Sequence, residues 1–446
     1  MAIDEPSVAR ETQPAGPPPP ASLREILGWC MFDFANSSYT TLMLTFSFPI
    51  YFTKVVVTGA GMEGMKDSLW GLSVSLSQAI VLLTAPVVGA IADYSGAKKR
   101  FLAFTYIGCI VGTAVLSALS PQSLIPCMAA FVFATVCFSS GENIVAAFLP
   151  EIAPPEKMGR ISGLGWALGY LGGLGSLFAC MPFLRHGIDA AHADQVRLSF
   201  VAVALFFLIG GLPTFLFLRE RAVPRRLPPG QGYVRVGISR TLETLSRVRR
   251  YRQLFRFLGV FLVYTCGINI VVVFATRFAE EVMGMSPGQL LVFFCILQLS
   301  ASLGAFAFGV LQDRLGSKLA IQLSLVLWIA ACLGAYWTTS MALFYVVGNV
   351  AGMAMGAAQS GGRALVGTFS PVSRSGEFFG FWGLSWKLSG VIGPLVFGLA
   401  SDALGMRPAI LITTAFFVLG LIAMSFIDEE EGRRAAVSES MPGPMA

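Results

Sequence analysis

Gly89-Ala-Ile-Ala-Asp93-Tyr-Ser-Gly96-Ala-Lys98 and Gly309-Val-Leu-Gln-Asp313-Arg-Leu-Gly316-Ser-Lys318 are two copies of one pattern, G-x-x-x-D-x-x-G-x-K. Each follows a long apolar run, and each occupies the same place in its half of the chain. A partial copy, Gly398-Leu-Ala-Ser-Asp402-Ala-Leu-Gly405, follows a later run. Isolated matches are common in a chain with 48 glycines, but two copies in register are not. The pair therefore divides the protein into two halves built on one plan.

What surrounds the repeat is oily. Of 446 residues 55% are hydrophobic and 13% charged, against about a quarter charged in a soluble domain. Much of the surface must then face lipid. A span needs about 20 apolar residues to cross roughly 30 Å of hydrocarbon. The chain offers twelve, at about 29–54, 68–92, 101–119, 122–148, 160–183, 197–218, 253–277, 287–311, 318–337, 340–364, 376–400 and 407–427. Pro86, Pro182, Pro213 and Pro394 fall in or near spans, where neighbouring helices can satisfy the freed carbonyls.

Lys and Arg orient the set. Arg10, Arg24, Lys98, Lys99, Arg100, Lys157, Arg160, Arg314, Lys318, Arg374, Arg433, Arg434 and the central linker fall on one side. Only Lys54, Lys66, Arg185, Arg197, Arg277 and Arg407 fall on the other. Both termini and the linker are expected in the cytoplasm, in a bacterial inner membrane. The expected units are a disordered tail (1–24), a six-helix bundle (25–218), a basic linker (219–252), a second bundle (253–428) and a tail (429–446). In the linker Ile238, Leu242, Leu245 and Val248 recur at helical spacing among Arg240, Arg247, Arg249 and Arg250. That pattern fits an amphipathic helix on an anionic leaflet, or an ordinary solvated linker. Nucleic acid is not implied, because the membrane accounts for the charge.

The eight cysteines sit in apolar runs without a C-x-x-C pair, and His186 and His192 share one polar loop. No nucleophile–base arrangement, metal-ligand spacing or G-x-x-x-x-G-K-[ST] element occurs. An enzyme, a metal, a cofactor and direct ATP driving are not expected, and the chain is expected to be a monomer.

The twelve spans and the repeated motif resemble the major facilitator superfamily over nearly the whole chain. Tyr94 and Ala97 stand where basic residues are common, with the charge moved to Lys98, Lys99 and Arg100. A narrower resemblance is to the vacuole-effluxer-like branch. It rests on Trp29-Cys-Met-Phe-Asp33-Phe-Ala-Asn36-Ser-Ser-Tyr39, with Phe32 in place of the usual Tyr, and on Phe148-Leu-Pro-Glu151-Ile. Gln359-Ser-Gly-Gly-Arg363 and Gly376-Glu-Phe-Phe-Gly380 through Lys387 to Gly393-Pro394 extend it. The resemblance implies an all-α fold of two pseudo-symmetric six-helix bundles, with the first, fourth, seventh and tenth spans lining a central cavity. In fungi that branch is associated with export of amino acids from the vacuole.

An ionisable group near a helix centre costs at least ~2.5–3.5 kcal/mol in lipid, so it should face a cavity or a partner. Asp33, Glu142, Arg363 and Lys387 are such groups, and Asn36, Asn269 and Gln359 are polar neighbours on cavity-lining spans. Opposite charges on opposite halves can bind a zwitterion, or can hold a gate shut. Glu142 reads as a proton-coupling carboxylate or as a permanent ion-pair member, with Lys387 or Arg363 as partner. Lys387 reads as a site for a substrate carboxylate or as a tether between helices. Asp33 and Asn36, at i, i+3, share one face and contact solute or a neighbouring helix. Gly89, Asp93, Gly96, Gly309, Asp313 and Gly316 form a conformational latch, its aspartates accepting from nearby helix N-termini. The glycines of the fifth span, Gly163 to Gly175, are expected to pack against the other half.

The leading function is a secondary active transporter of a small polar or zwitterionic solute, amino acids included, working by alternating access and coupled to protons or not. A drug or lipid exporter of the same fold and a non-transporting membrane sensor are the alternatives.

Overall fold

The computed structural model describes residues 20–440 apart from residues 223 and 226. The tail expected to be disordered (1–24) lies mostly outside the described residues. The described residues form helices and turns, and twelve helices are long and apolar enough to cross a membrane. They are Leu23–Val57, Glu63–Ser95, Lys98–Ala118, Leu124–Ile152, Pro155–Leu184 and Ala193–Phe217, then Arg252–Glu281, Gly288–Leu315, Ser317–Trp337, Met341–Phe369, Val372–Leu404 and Met406–Met424.

Local chemistry sets several ends. Ser22 accepts from the Glu25 amide at 3.3 Å and starts the first span six residues ahead of the apolar run that announced it. The same span loosens into π-helical turns over Tyr39–Phe46 and Phe52–Val57, on either side of the segment that holds Pro49. Ser286 and Gln289 cap the eighth span reciprocally. Pro86, Pro182, Pro213 and Pro394 all lie inside helices. Gly96 and Gly316, with φ of 60° and 89°, make the sharp turns after the two motif aspartates.

Packing repeats the sequence symmetry. In the N-terminal half the first span packs on the fifth and sixth, the third on the fourth and sixth, and the second on the fourth. In the C-terminal half the seventh packs on the eleventh and twelfth, the ninth on the tenth and twelfth, and the eighth on the tenth. Two separate cores result, one per half. The halves meet along two seams that exchange under the same symmetry, second with eleventh and fifth with eighth.

Both seams close at the face that carries the linker. A Cβ on Gly89 would overlap the Gly376 carbonyl, one on Gly380 would lie 2.6 Å from Pro86 Cα, and one on Gly309 would lie 2.6 Å from the Gly159 carbonyl oxygen. Farther along, Gly390 and Gly393 pack on Asn269 and Cys266 in their own half, and Gly71 meets nothing within 4 Å. The second and eleventh spans thus touch at the linker face and part toward the other.

The glycines of the fifth span serve two neighbours rather than one. Gly163 meets Ala305 and Gly309 of the opposite half as expected, but Gly169 and Gly172 press on Asp33 and Phe34 of the first span, in their own half. The partial motif at Gly398–Gly405 ends a span that begins at the linker face, so it lies on the opposite face with Asp402 exposed and takes no part in either seam.

Gly89→Ala should wedge the closed seam apart, overpacking of this kind costing about 1–3 kcal/mol. Spin labels at Ser95 and Val372 are expected to report a longer-distance population that Gly71→Ala does not produce.

Candidate functional site

Each motif aspartate sits on the first turn of a helix from the other half. Asp93 Oδ1 and Oδ2 accept from the Gly376 and Glu377 amides, both at 3.0 Å, at the start of the eleventh span. Asp313 Oδ1 accepts from the Gly159 amide at 2.8 Å, and Oδ2 from Arg160 Nε at 2.8 Å, at the start of the fifth. A carboxylate there meets unsatisfied N–H groups and the positive end of the helix dipole. The two sites differ in their cations. Lys98, almost fully buried, donates to Glu151 at 2.6 Å and Ser375 Oγ at 2.6 Å and lies 2.8 Å from Asp93. Its counterpart Lys318 turns away, to the carbonyls of Ser425 and Ile427 at 2.8 Å.

Deeper in the molecule two ion pairs cross between the halves. Arg363 Nη1 of the tenth span donates to Asp33 Oδ2 of the first at 2.6 Å. The guanidinium is sandwiched between two indoles, 4.7 Å from the Trp29 ring centre and 5.3 Å from that of Trp166. Its remaining nitrogens donate to Ser162, to Oγ at 3.2 Å and to the carbonyl at 2.8 Å. Gly165 makes room, since a Cβ there would lie 2.6 Å from both Asp33 Oδ2 and Arg363 Nη2. The guanidinium is almost fully buried and the pair is tight, with the Asp33 side chain 14% exposed.

The second pair is open. Lys387 Nζ of the eleventh span lies 3.9 Å from Glu142 Oε2 of the fourth, beyond hydrogen-bond range, and the Glu142 side chain keeps 33% of its surface exposed. Glu142 is ten residues from the end of its helical span and enclosed by its neighbours, so that exposure faces the cleft between the halves. Lys387 is the pair's candidate for an incoming anion, and Glu142 for a cation or a proton.

The remaining polar residues divide. Gln359 is buried and accepts from the Tyr170 hydroxyl of the fifth span, a further bond across the halves. Asn36 is buried beside the ion pair, its Oδ1 without a hydrogen-bond partner among the described residues. Asn269 donates to the Thr265 carbonyl and Ser389 Oγ at 3.0 Å, all within its own half. The set therefore draws on the fifth and eleventh spans as well as the first, fourth, seventh and tenth. Trp29, Trp166, Ser162 and Tyr170 were not among the expected site residues. Trp29 stands in the quoted first-span stretch and Ser162, Trp166 and Tyr170 in the glycine-rich fifth span, but only tertiary contact assigns them to Arg363 and Gln359. A cavity of about 90 Å³ inside the C-terminal bundle, walled by Phe274, Phe293, Trp328, Phe344 and Phe397, touches none of the four charges.

Comparison with known proteins gives the family. The family model described as "Vacuole effluxer Atg22 like" matches residues 21–437. The uncharacterized MFS-type transporter YxiO of Bacillus subtilis (strain 168) is 24% identical over 407 residues, covering 90% of this chain and 94% of that one. Autophagy-related protein 22-1 of Aspergillus fumigatus is 25% identical over 328 residues, and the match takes in 67% of this chain but 54% of the fungal protein. The chain thus spans about half the length of that relative. Among solved structures, the proton:xylose symporter XylE superimposes with a TM-score of 0.69 at 14% identity, over 92% of this chain and 96% of the other. The human organic anion transporter MFSD10 does so with a TM-score of 0.66 at 17% identity, over 90% and 99%. The fold and these relatives define a multi-pass membrane transporter of the major facilitator superfamily, not an enzyme. Within it, the chain belongs to the vacuole effluxer Atg22-like family.

Asp33→Asn leaves the Arg363 guanidinium buried without its counter-charge, a change that costs about 3–5 kcal/mol. Thermal unfolding is expected to show part of that loss recovered when Arg363→Gln is added. A cycle with no coupling between the two positions would remove the pair from the stability of the closed state.

Proposed function

We propose that the protein carries a zwitterionic solute, amino acids foremost, by rocking its halves about a site between Glu142 and Lys387. The observation that carries this reading is the segregation of charge in the two pairs that cross the cleft: their acids, Asp33 and Glu142, belong to the N-terminal half, and their bases, Arg363 and Lys387, to the C-terminal half. Neither half can part from the other without exposing two like charges to a low-dielectric cleft. A zwitterion offers each half its missing partner, the ammonium to the acids and the carboxylate to the bases. An apolar drug or lipid offers neither.

Glu142 is the proton-coupling residue in this scheme. It faces the cleft, and its pairing is too long to satisfy Lys387. A proton on Glu142 cancels its charge and frees Lys387 for a solute carboxylate. Asn36, Gln359 and Asn269 orient the solute, while the tight Asp33–Arg363 pair closes the path below it. Gly89, Asp93 and Gly96 on one seam and Gly309, Asp313 and Gly316 on the other act as the latch of the closed linker face. The Lys and Arg distribution puts that face in the cytoplasm of a bacterial cell, so the closed state opens outward. The matching family is named for vacuolar efflux, and amino acids are proposed ahead of sugars on the strength of the resemblance set out from the sequence.

Proteoliposomes loaded with labelled amino acids give the test. Lys387→Ala is expected to lower flux at least about tenfold, the loss of roughly 1.4 kcal/mol of binding. Glu142→Gln is expected to retain exchange of solute but to lose the response to a pH gradient. Equal flux and equal pH response in wild type and both variants sink the proposal.

A further inference from the structure

We infer that the linker helix, Tyr233–Ser246, docks on an anionic lipid leaflet and that this docking sets how firmly the linker-face gate stays closed. The inference rests on the alternating-access reading and adds a lipid as its regulator.

The helix has two unlike faces. Its inner face, Val236, Gly237, Arg240, Thr241 and Thr244, is buried. A Cβ on Gly237 would lie 2.6 Å from Ile91 Cγ1 and 3.1 Å from the Val87 carbonyl oxygen, so the helix rests on the second span. The same face reaches across the seam. Arg240 lies 5.6 Å over the Tyr94 ring and donates to the Ser373 carbonyl at 3.4 Å. Arg374 Nη1 donates to Thr244 Oγ1 at 2.9 Å, with Glu243 3.7 Å from the same guanidinium. Ser373 and Arg374 directly precede the amides that Asp93 caps. The helix therefore has one footing on each half, at the place where the second and eleventh spans must part.

The outer face is a stripe of apolar side chains left open: Val234 is 63% exposed, Ile238 45%, Leu242 60% and Leu245 44%. What covers it follows from where it lies. Val87 and Ile91, on which the helix rests, continue a row through Leu83 and Leu76, exposed by 75% and 48% on the outside of the second span. That row is part of the lipid-facing belt, so the stripe sits at the belt's linker edge. Arg235, Arg247 and Arg249 are exposed beside it, while the acid of the helix, Glu243, is engaged by Arg247 at 3.1 Å and by Arg374. An apolar stripe flanked by arginines at the membrane edge suits the acyl boundary and the headgroups of anionic phospholipid.

Because the lipid holds the helix in the position from which Arg240 and Thr244 reach the eleventh span, it favours the closed seam over the open one.

The test uses the full chain in nanodiscs of phosphatidylcholine alone, or mixed with an equal part of phosphatidylglycerol, and reads hydrogen exchange without any transport assay. In wild type, exchange at the start of the eleventh span is expected to slow at least about fivefold in the anionic discs, the scale of one arginine's attraction to such a surface. The triple variant Arg235→Gln, Arg247→Gln, Arg249→Gln is expected to lose that difference. Arg240→Gln is expected to keep lipid-dependent protection of the linker helix and to lose it at the seam. Equal seam exchange in both discs overturns the inference, as does full protection by inorganic phosphate in neutral discs. A failure here leaves solute flux untouched, and absent flux leaves these exchange rates readable.

Discussion

Within a bilayer two helical bundles gain little by hiding apolar surface from lipid tails, so close packing and polar contacts must hold the closed face. Here the holding is done by a carboxylate on the first turn of a helix, once on each seam. The contact demands close approach, and glycines supply it: the backbone of Gly89 meets that of Gly376, and Gly309 meets Gly159. The carboxylate and the glycine come from the same turn of the same motif, which explains why the sequence keeps them four residues apart. One fixes the attraction and the other the distance at which it acts.

The motif is symmetric in sequence and unequal in charge. Asp93 shares its site with Lys98, Glu151 and the nearby Glu377, a buried cluster reached by four spans and by the linker helix. Asp313, almost fully buried itself, has the half-exposed Arg160 as its one cation among the described residues. A buried charge network is costly to break because each member left behind is stranded, whereas a pair at the surface is screened. The second–eleventh seam is thus the stiffer of the two, and it is the one the linker helix straddles. The two seams share one shape, with control placed on one of them.

Much of this was legible in the chain. Length and apolarity of the runs gave the spans, and the repeat gave the two halves, because both are properties of local sequence. For Glu142 the sequence offered Lys387 or Arg363, and the choice of Lys387, with Arg363 going to Asp33, comes only through the packing of the fourth span on the eleventh and the first span's approach to the tenth. Other misses had a signal. Gly163 and Gly165 are two positions apart, which places them about 160° apart round a helix; one face for all the fifth-span glycines was never possible. A motif that ends an odd-numbered span lies opposite those that end even-numbered ones, so Asp402 was excluded from the gate by parity alone. Arg240 had none: an arginine among linker arginines is distinguished only by Tyr94 and Ser373 lying beneath it.

The depth of the charges then orders the events. Asp33–Arg363 is nearer the linker face than Glu142–Lys387, since Arg363 lies six residues from the end of its span and Lys387 fifteen from the start of its own. In the proposed scheme a zwitterionic solute entering from the open face meets the loose pair first. Its charges compete there with an ion pair that is already 3.9 Å long, so little is lost in displacing it. The tight pair below, bonded at 2.6 Å between two indoles, is out of reach until the halves move. In the proposed scheme the gradient from a loose pair to a tight one and then to the capped seams lets each barrier be opened by a change at the layer above it. A site built in the reverse order would leak, because its loosest contact would be the last barrier to the linker side.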